Sequence, residues 1–154
     1  MKKIPIKIEA ITPRVDGITK DIAKLLQLAS LLEKDFCNAS NDYFDVAKLR
    51  LHEALEGVFH IGAHILSRMD GGRTTDYKDI AKKLGEFGIV DKNFANGTLT
   101  FMAGYRNRLV HFYAEIKAAE LYKIINNNIG DFEIFLKAVK IVLEHPEKFG
   151  LTIE

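Results

Sequence analysis

The apolar residues of this chain recur every three or four positions along most of its 154 residues. Because residues three and four apart share one face of an α-helix, this spacing predicts helices that each bury one face. Helix breakers stand at Gly71, Gly72 and Pro146. We therefore predict an all-α fold, an antiparallel bundle of about five helices. The predicted helices cover about 16–33, about 42–69, a short stretch around 77–84, a stretch that begins at residue 91, and about 118–144.

The two ends of the chain differ in pattern from the middle. Ile4, Ile6 and Ile8 alternate with other residues, and a second short extended stretch, 151–153, follows Gly150. We expect the two ends to pair as a two-stranded ribbon or to fold against a second subunit. The predicted organisation is an N-terminal extension at 1–15, a helical domain at 16–145 and a C-terminal tail at 146–154.

Charge and cysteine content exclude several classes of protein. Lys and Arg number 22 and Asp and Glu number 21, and this net charge of +1 argues against a strongly basic protein that wraps duplex nucleic acid. If the protein binds a polyanion, a local patch of positive charge must hold it. The single cysteine, Cys37, rules out an internal disulfide and a cysteine-based zinc site within one subunit. No apolar run reaches the roughly 18 residues of a membrane span, and the start of the chain lacks the apolar core of a secretion signal, so we expect a cytoplasmic protein without a membrane partner.

The densest group of polar side chains lies at 104–113, inside a predicted helix. Histidine exchanges protons near neutral pH, and the arginine fork matches the oxygens of a phosphate. RNA cleavage through the ribose 2′-hydroxyl needs a base, an acid and positive charge on the phosphate, which His111 and Arg106 can supply. On an ideal helix these two residues lie about 140° apart. The segment has one histidine, so an acid and a base together come most simply from two copies of the chain related by a two-fold axis.

Other interpretations of these polar residues stay open. Arg106 and Arg108 on a helix are also typical of a solvated face, and His111 of a packing boundary. His60 and His64, with Glu56 one turn earlier, have ligand spacing on a helix, but zinc requires three or four ligands with supporting partners. We therefore predict no metal site and assign the two histidines to a polar helix edge that borders a cleft.

Residues 106–113, Arg-Asn-Arg-Leu-Val-His-Phe-Tyr, resemble the R-x4-H-x-Y signature of the HepT-like family within the HEPN superfamily of helical ribonucleases. The likeness extends beyond this motif and covers about 16–145. Its further parts, in family order, are 54–65, 77–84, 88–90 and 101–105.

The resemblance implies a toxin of a toxin–antitoxin pair, a homodimer that cuts RNA without a metal or cofactor and leaves a 2′,3′-cyclic phosphate. It assigns catalysis to Arg106, Asn107 and His111, and RNA binding to Arg106 and Arg108. It also implies a small nucleotidyltransferase antitoxin, the MntA-like partner, which transfers AMP to Tyr113. AMP there would place negative charge and bulk beside Arg106, where the RNA phosphate must bind.

Two departures from the family pattern and two rival functions accompany this resemblance. The first fifteen residues make the chain start earlier than is usual in the family, and Lys117 stands where an acidic residue is expected at the start of the last helix.

One rival function is a non-catalytic helical subunit that binds a nucleotidyltransferase through the motif. The other is a structural bundle whose Arg and His side chains bind only each other or solvent.

Overall fold

The chain folds into a bundle of helices, which confirms the predicted all-α class. A computed structural model describes residues 3–111 and 115–154. Its two longest helices pack against each other, and the remaining helices cover them. The helices are α1 (Ile8–Ala29), α2 (Glu33–Phe36), α3 (Tyr43–Leu66), α4 (Tyr77–Glu86), α5 (Lys92–Phe94), a π-helical turn (Ala95–Leu99), α6 (Thr100–Val110), α7 (Ala118–Asn127), α8 (Gly130–Glu144) and a 3₁₀ turn (Pro146–Phe149).

The predicted bounds of the first and the last helix were wrong. The first helix begins at Ile8 instead of residue 16, because the buried side chains of Ile11 and Ile18 hold both parts of α1 on the core. Pro13 lies within this helix and removes one backbone hydrogen bond without ending it. The predicted last helix is two helices, α7 and α8, which separate after Asn127. The asparagines that end α7 compete for backbone hydrogen bonds and are poor helix formers.

Residues near the two ends of the chain pair with each other, which was one of the two predicted arrangements, but through a single bridge instead of a ribbon. Ile6 and Ile153 form a single parallel β-bridge. The backbone N–H of Ile6 donates to the carbonyl of Thr152 at 2.8 Å, and the N–H of Glu154 donates to the carbonyl of Ile6 at 2.8 Å. Ile6 is completely buried. The start of α1 is therefore anchored beside the C-terminal tail.

Small residues let the neighbours of α3 approach closely. A Cβ at Gly57 would lie 2.8 Å from Ile18 Cγ1, and one at Gly62 would lie 2.9 Å from Leu84 Cδ1. A side chain at either position would force the side chain of Ile18 or Leu84 to shift. The two glycines thus allow side chains of α1 and α4 to pack closely against α3.

One buried carboxyl group joins α1 to α3. Asp21 Oδ1 lies 3.2 Å from Arg50 Nη1, and only 5% of the Asp21 side chain is exposed. Burial, with a further contribution from Glu53, raises the pKa of Asp21 to about 6, although Arg50 opposes the shift. Between about pH 4 and pH 6 the folded chain therefore holds a proton that the unfolded chain has released, so this group makes the protein less stable as the pH rises.

Replacing Asp21 with asparagine is expected to weaken this pH dependence. The amide keeps the shape of the carboxyl group but cannot become a buried charge. Relative to the wild type, the free energy of unfolding of the variant should increase by on the order of 2 kcal/mol between pH 4 and pH 8. Urea unfolding of both proteins at the two pH values measures the difference. Parallel pH profiles for the two proteins would contradict the assignment.

Candidate functional site

Arg106 is held by two side chains from other helices. From α6, its Nε donates a hydrogen bond to Glu56 Oε1 on α3. The ring of Tyr77, at the start of α4, lies under the guanidinium group, with 4.3 Å between Arg106 Cζ and the ring centroid. The Tyr77 hydroxyl donates to Glu56 Oε2 at 2.9 Å. The guanidinium group is thus fixed along one edge and on one face.

The outer end of the Arg106 guanidinium group has N–H donors that the described residues do not fully use. Nη1 makes one long hydrogen bond, 3.4 Å, to Asn107 Oδ1. Within the described residues Nη2 has no hydrogen-bond partner, and 24% of the side chain is exposed. Because an arginine fork binds a phosphate through such paired N–H groups, the orientation imposed by Glu56 and Tyr77 suits phosphate binding.

The Tyr77 ring is held by a contact with α3, and the start of its own helix is capped. Its ring stacks on Phe59 of α3, with the centroids 5.1 Å apart and the planes at 14°. Asp76 caps α4 by accepting a hydrogen bond from the backbone N–H of Asp79 at 2.8 Å. Burial, together with the carboxylate of Glu56, raises the pKa of Tyr77. The phenol therefore remains protonated at neutral pH and can donate to Glu56.

Glu56 is the centre of this polar network. Burial alone would raise its pKa, but the hydrogen bonds from Arg106 and Tyr77 outweigh burial and hold the pKa below its usual value. His52 Nε2 lies 3.6 Å from Oε1, and His60 Nε2 lies 3.4 Å from Oε2. Glu56 therefore stays ionised and accepts hydrogen bonds from two other helices, α6 and α4.

The sequence predicted neither the role of Glu56 nor that of Tyr77. The spacing of Glu56 from His60 and His64 indicates only a possible metal ligand, and Tyr77 falls in a predicted helix without an assigned role. One signal was available, since Glu56 stands between two buried residues of α3, Leu55 and Gly57. A carboxylate at that place needs a cationic partner. Which arginine supplies it depends on the packing of α6 against α3.

Arg108 points away from Arg106. Two residues apart, the pair lies about 200° apart on the helix, which places the side chains on opposite sides of α6. The guanidinium group of Arg108 makes a two-point ion pair with Glu120 of α7, at 2.5 and 3.2 Å. It also lies 5.3 Å from the ring centroid of Tyr105. The hydrogen bond with Glu120 raises the pKa of Arg108.

His111 follows the last residue of α6 and has extended backbone. It is exposed and lines a cavity of about 370 Å³ together with Lys48, Arg108 and Glu115. Arg106 is not part of this lining. The structure thus brings His111 and Arg108 to one cavity and Arg106 and Asn107 to the polar edge of α3. Tyr113, the predicted modification site, lies outside the described residues.

His60 and His64 each form a hydrogen bond with a residue from the first part of the chain. His60 Nδ1 accepts a hydrogen bond from Arg14 Nη1 at 2.7 Å, and His64 Nε2 accepts the backbone N–H of Lys7 at 3.1 Å. An arginine always donates, so His60 Nδ1 must be unprotonated in this contact. Across residues 3–111 and 115–154, no three His, Cys, Asp or Glu side chains are grouped so that they could hold a metal ion.

Comparison with protein families decides what kind of protein carries this site. The sequence matches the family described as Ribonuclease HepT-like over residues 18–139, which is most of the chain. The chain belongs to the HepT-like ribonuclease family. A comparison with curated proteins gave no match.

The HepT-like match includes the whole polar network around Arg106. Glu56, Tyr77 and the segment 106–111 all lie within the matched residues, whereas Lys7 and Arg14 precede them. Membership of a ribonuclease family supports RNA cleavage as the activity and implies RNA as the substrate. Among the described residues, no helix combines the length and the apolar character needed to span a membrane.

Proposed function

We propose that this protein is the toxin of a toxin–antitoxin pair, a cytoplasmic endoribonuclease that acts as a homodimer without a metal ion. Arg106, held by Glu56 and Tyr77, is the observation that carries the proposal. It provides an oriented guanidinium group with unused donors in a chain of the HepT-like family. Asn107 contacts Arg106 at 3.4 Å and orients the phosphate with it.

The reaction needs only proton transfers and charge stabilisation. His111 of one protomer takes the proton of the ribose 2′-hydroxyl, and the 2′-oxygen attacks the adjacent phosphorus. The bond from phosphorus to the 5′-oxygen breaks, and that oxygen takes a proton from His111 of the second protomer. Arg106 stabilises the negative charge on the crowded phosphate. The products are a 2′,3′-cyclic phosphate and a 5′-hydroxyl end.

A homodimer supplies the two histidines that this reaction needs. Each motif has one histidine, so a two-fold axis that places the two motifs side by side brings an acid and a base together. α6 leaves two large apolar side chains exposed beside the motif, Phe101 at 54% and Val110 at 39%. Burial of these side chains against the second copy would favour association. Arg108, which lines the cavity beside His111, contacts the RNA backbone in this arrangement.

The products of cleavage test the proposed reaction. Purified protein is incubated with a single-stranded RNA of mixed sequence in the presence of EDTA, and the new ends are identified by mass spectrometry. We expect fragments with 2′,3′-cyclic phosphate and 5′-hydroxyl ends, at a rate that EDTA does not change. Intact RNA, or cleavage that EDTA abolishes, would reject the proposal in favour of a non-catalytic subunit or a metal-dependent enzyme.

We also propose that residues 16–145 carry the ribonuclease, with 1–15 as an extension and 146–154 as a tail. α1 runs without interruption across residue 15, and Ile6 is bonded to the tail. Residues 6–15 of the extension thus belong to the same packed unit as the ribonuclease.

Regulation by a nucleotidyltransferase antitoxin completes the proposal. Tyr113 follows Arg106 by seven residues, and an AMP group on its hydroxyl adds negative charge that competes with RNA for the guanidinium group. After co-expression with an MntA-like nucleotidyltransferase and ATP, peptide mass analysis should locate AMP on Tyr113, and RNA cleavage should fall. Equal modification of a Tyr113→Phe variant would show that another residue receives the AMP.

A further inference from the structure

The first turns of α1 bring positive charge to the polar edge of α3. Arg14 is exposed on α1, and its Nη1 donates to His60 Nδ1 at 2.7 Å. One turn further along α3, His64 Nε2 accepts the backbone N–H of Lys7 at 3.1 Å. The buried side chain of Ile6 anchors this part of the chain. The start of α1 is therefore built onto α3, next to the two histidines.

Arg68, just beyond the end of α3, extends this edge. Its Nε donates to the carbonyl of Pro5 at 3.1 Å. Within the part of the chain that the structure describes, neither Arg14 nor Arg68 lies within ion-pair distance of a carboxylate, so their charges are not neutralised locally. The arginines that do form ion pairs with carboxylates are Arg50, Arg106 and Arg108.

These groups continue directly from the site around Arg106. Lys7, Arg14, His60, His64 and Arg68 are referred to below as the N-terminal basic strip. His60 connects the strip to the site, because its Nε2 lies 3.4 Å from the second oxygen of the glutamate that holds Arg106. Burial, and then the charge of Arg14, lowers the pKa of His60; burial, and then Arg68, lowers that of His64. The two imidazoles are neutral near pH 7, and the positive charge of the strip is on its guanidinium and ammonium groups.

We propose that the N-terminal basic strip binds the phosphates of single-stranded RNA next to the phosphate that Arg106 holds. This inference rests on the proposed ribonuclease function. Guanidinium forks bind phosphate oxygens, and the ring faces of neutral imidazoles can stack on unstacked bases. A chain with a net charge of +1 must hold a polyanion through such a local patch. Lys7 and Arg14 precede residue 18, where the family match begins, so they add RNA contacts from outside the matched region.

The salt dependence of RNA binding tests the strip. The variant Arg14→Gln with Arg68→Gln removes two charges while keeping polar side chains. A fluorescein-labelled single-stranded RNA of mixed sequence is titrated at several KCl concentrations, with His111→Ala as the common background to prevent cleavage. Two lost phosphate contacts should reduce the slope of log Kd against log salt by about 1.4 and weaken binding by about tenfold at low salt. In the active protein, KM should rise more than kcat falls.

Two further variants separate phosphate binding from other effects. Lys82→Gln with Lys140→Gln removes the same charge from lysines that pair with Glu86 and Glu144, and it should leave the slope and KM unchanged. Arg14→Lys with Arg68→Lys keeps the charge and should restore most of the slope. Circular dichroism checks that all variants fold.

The outcomes also separate this inference from the proposed function. If the wild type cuts RNA and His111→Ala does not, but the double glutamine variant binds RNA like its parent, the strip proposal alone fails. An equal loss in the lysine control would also overturn it, because the effect would then be one of net charge. The same holds if the variant loses only its binding to a nucleotidyltransferase, since the strip would then be a protein interface. If the wild type neither binds nor cuts RNA, both proposals fall.

Discussion

Replacing His111 with alanine is expected to lower the rate of RNA cleavage by about 10²–10⁴-fold, the contribution of one positioned acid–base group. In a homodimer both proton-transfer groups are lost together, so the upper part of that range is expected. His111 is exposed and lies after the last residue of α6, so its removal should leave the helices and their packing intact. The measurement is the initial rate of cleavage of a defined RNA.

The matched control for this variant is His145→Ala. The side chain of His145 is 48% exposed, and its Nδ1 lies 3.7 Å from Glu147 Oε1. His145 is therefore exposed like His111, but it follows α8 instead of α6. The control should cut RNA at the wild-type rate. Light scattering and thermal unfolding should give the same dimer and a similar Tm for all three proteins. Cleavage by the His111 variant at the wild-type rate would remove this residue from the mechanism.

Replacing Glu56 with glutamine should reduce kcat by about 10- to 100-fold, because a small misplacement of a catalytic group has effects of this size. Glu56 touches no substrate in the proposed reaction and acts through Arg106, so it is a positioning residue. The amide has one acceptor oxygen for two donors, the Nε of Arg106 and the hydroxyl of Tyr77, and it carries no charge. The guanidinium group loses its fixed edge, while Arg108 and the N-terminal basic strip still contact the RNA, so KM should change less than kcat.

Three measurements distinguish this role from a purely structural one. Glu56→Asp keeps the charge and should recover part of kcat. Glu144→Gln, which removes an exposed carboxylate paired with Lys140, should leave both constants unchanged. Thermal unfolding reports any loss of stability independently. A Glu56→Gln protein with normal kcat and only a lower Tm would show that the ion pair holds α3 to α6 without serving catalysis.

Helices and their order were predictable because their signal is local. The period of the apolar residues placed α3 and α4 within a few residues of their observed bounds. The alternating isoleucines at the start also indicated an extended segment, and Ile6 does pair with Ile153. The start of α1 at Ile8 is not predictable from this local pattern, because it depends on burial of Ile11 and Ile18 against the rest of the fold.

The motif at 106–111 was likewise visible from the sequence, because its arginines, asparagine and histidine are neighbours along the chain. Their different directions followed from the helical period, which sets Arg106 and Arg108 on opposite sides of α6. The sequence therefore determined the all-α class, the family resemblance and the polar residues offered for chemistry.

Only the tertiary structure decided which side chains complete the site. Glu56 and Arg106 are 50 residues apart in the chain, and their contact exists because α3 and α6 pack together. The same holds for Tyr77 under the guanidinium group and for Arg14 on His60. Periodicity describes which face of a helix is buried, but the partner that each polar side chain meets depends on how separate helices are placed in space.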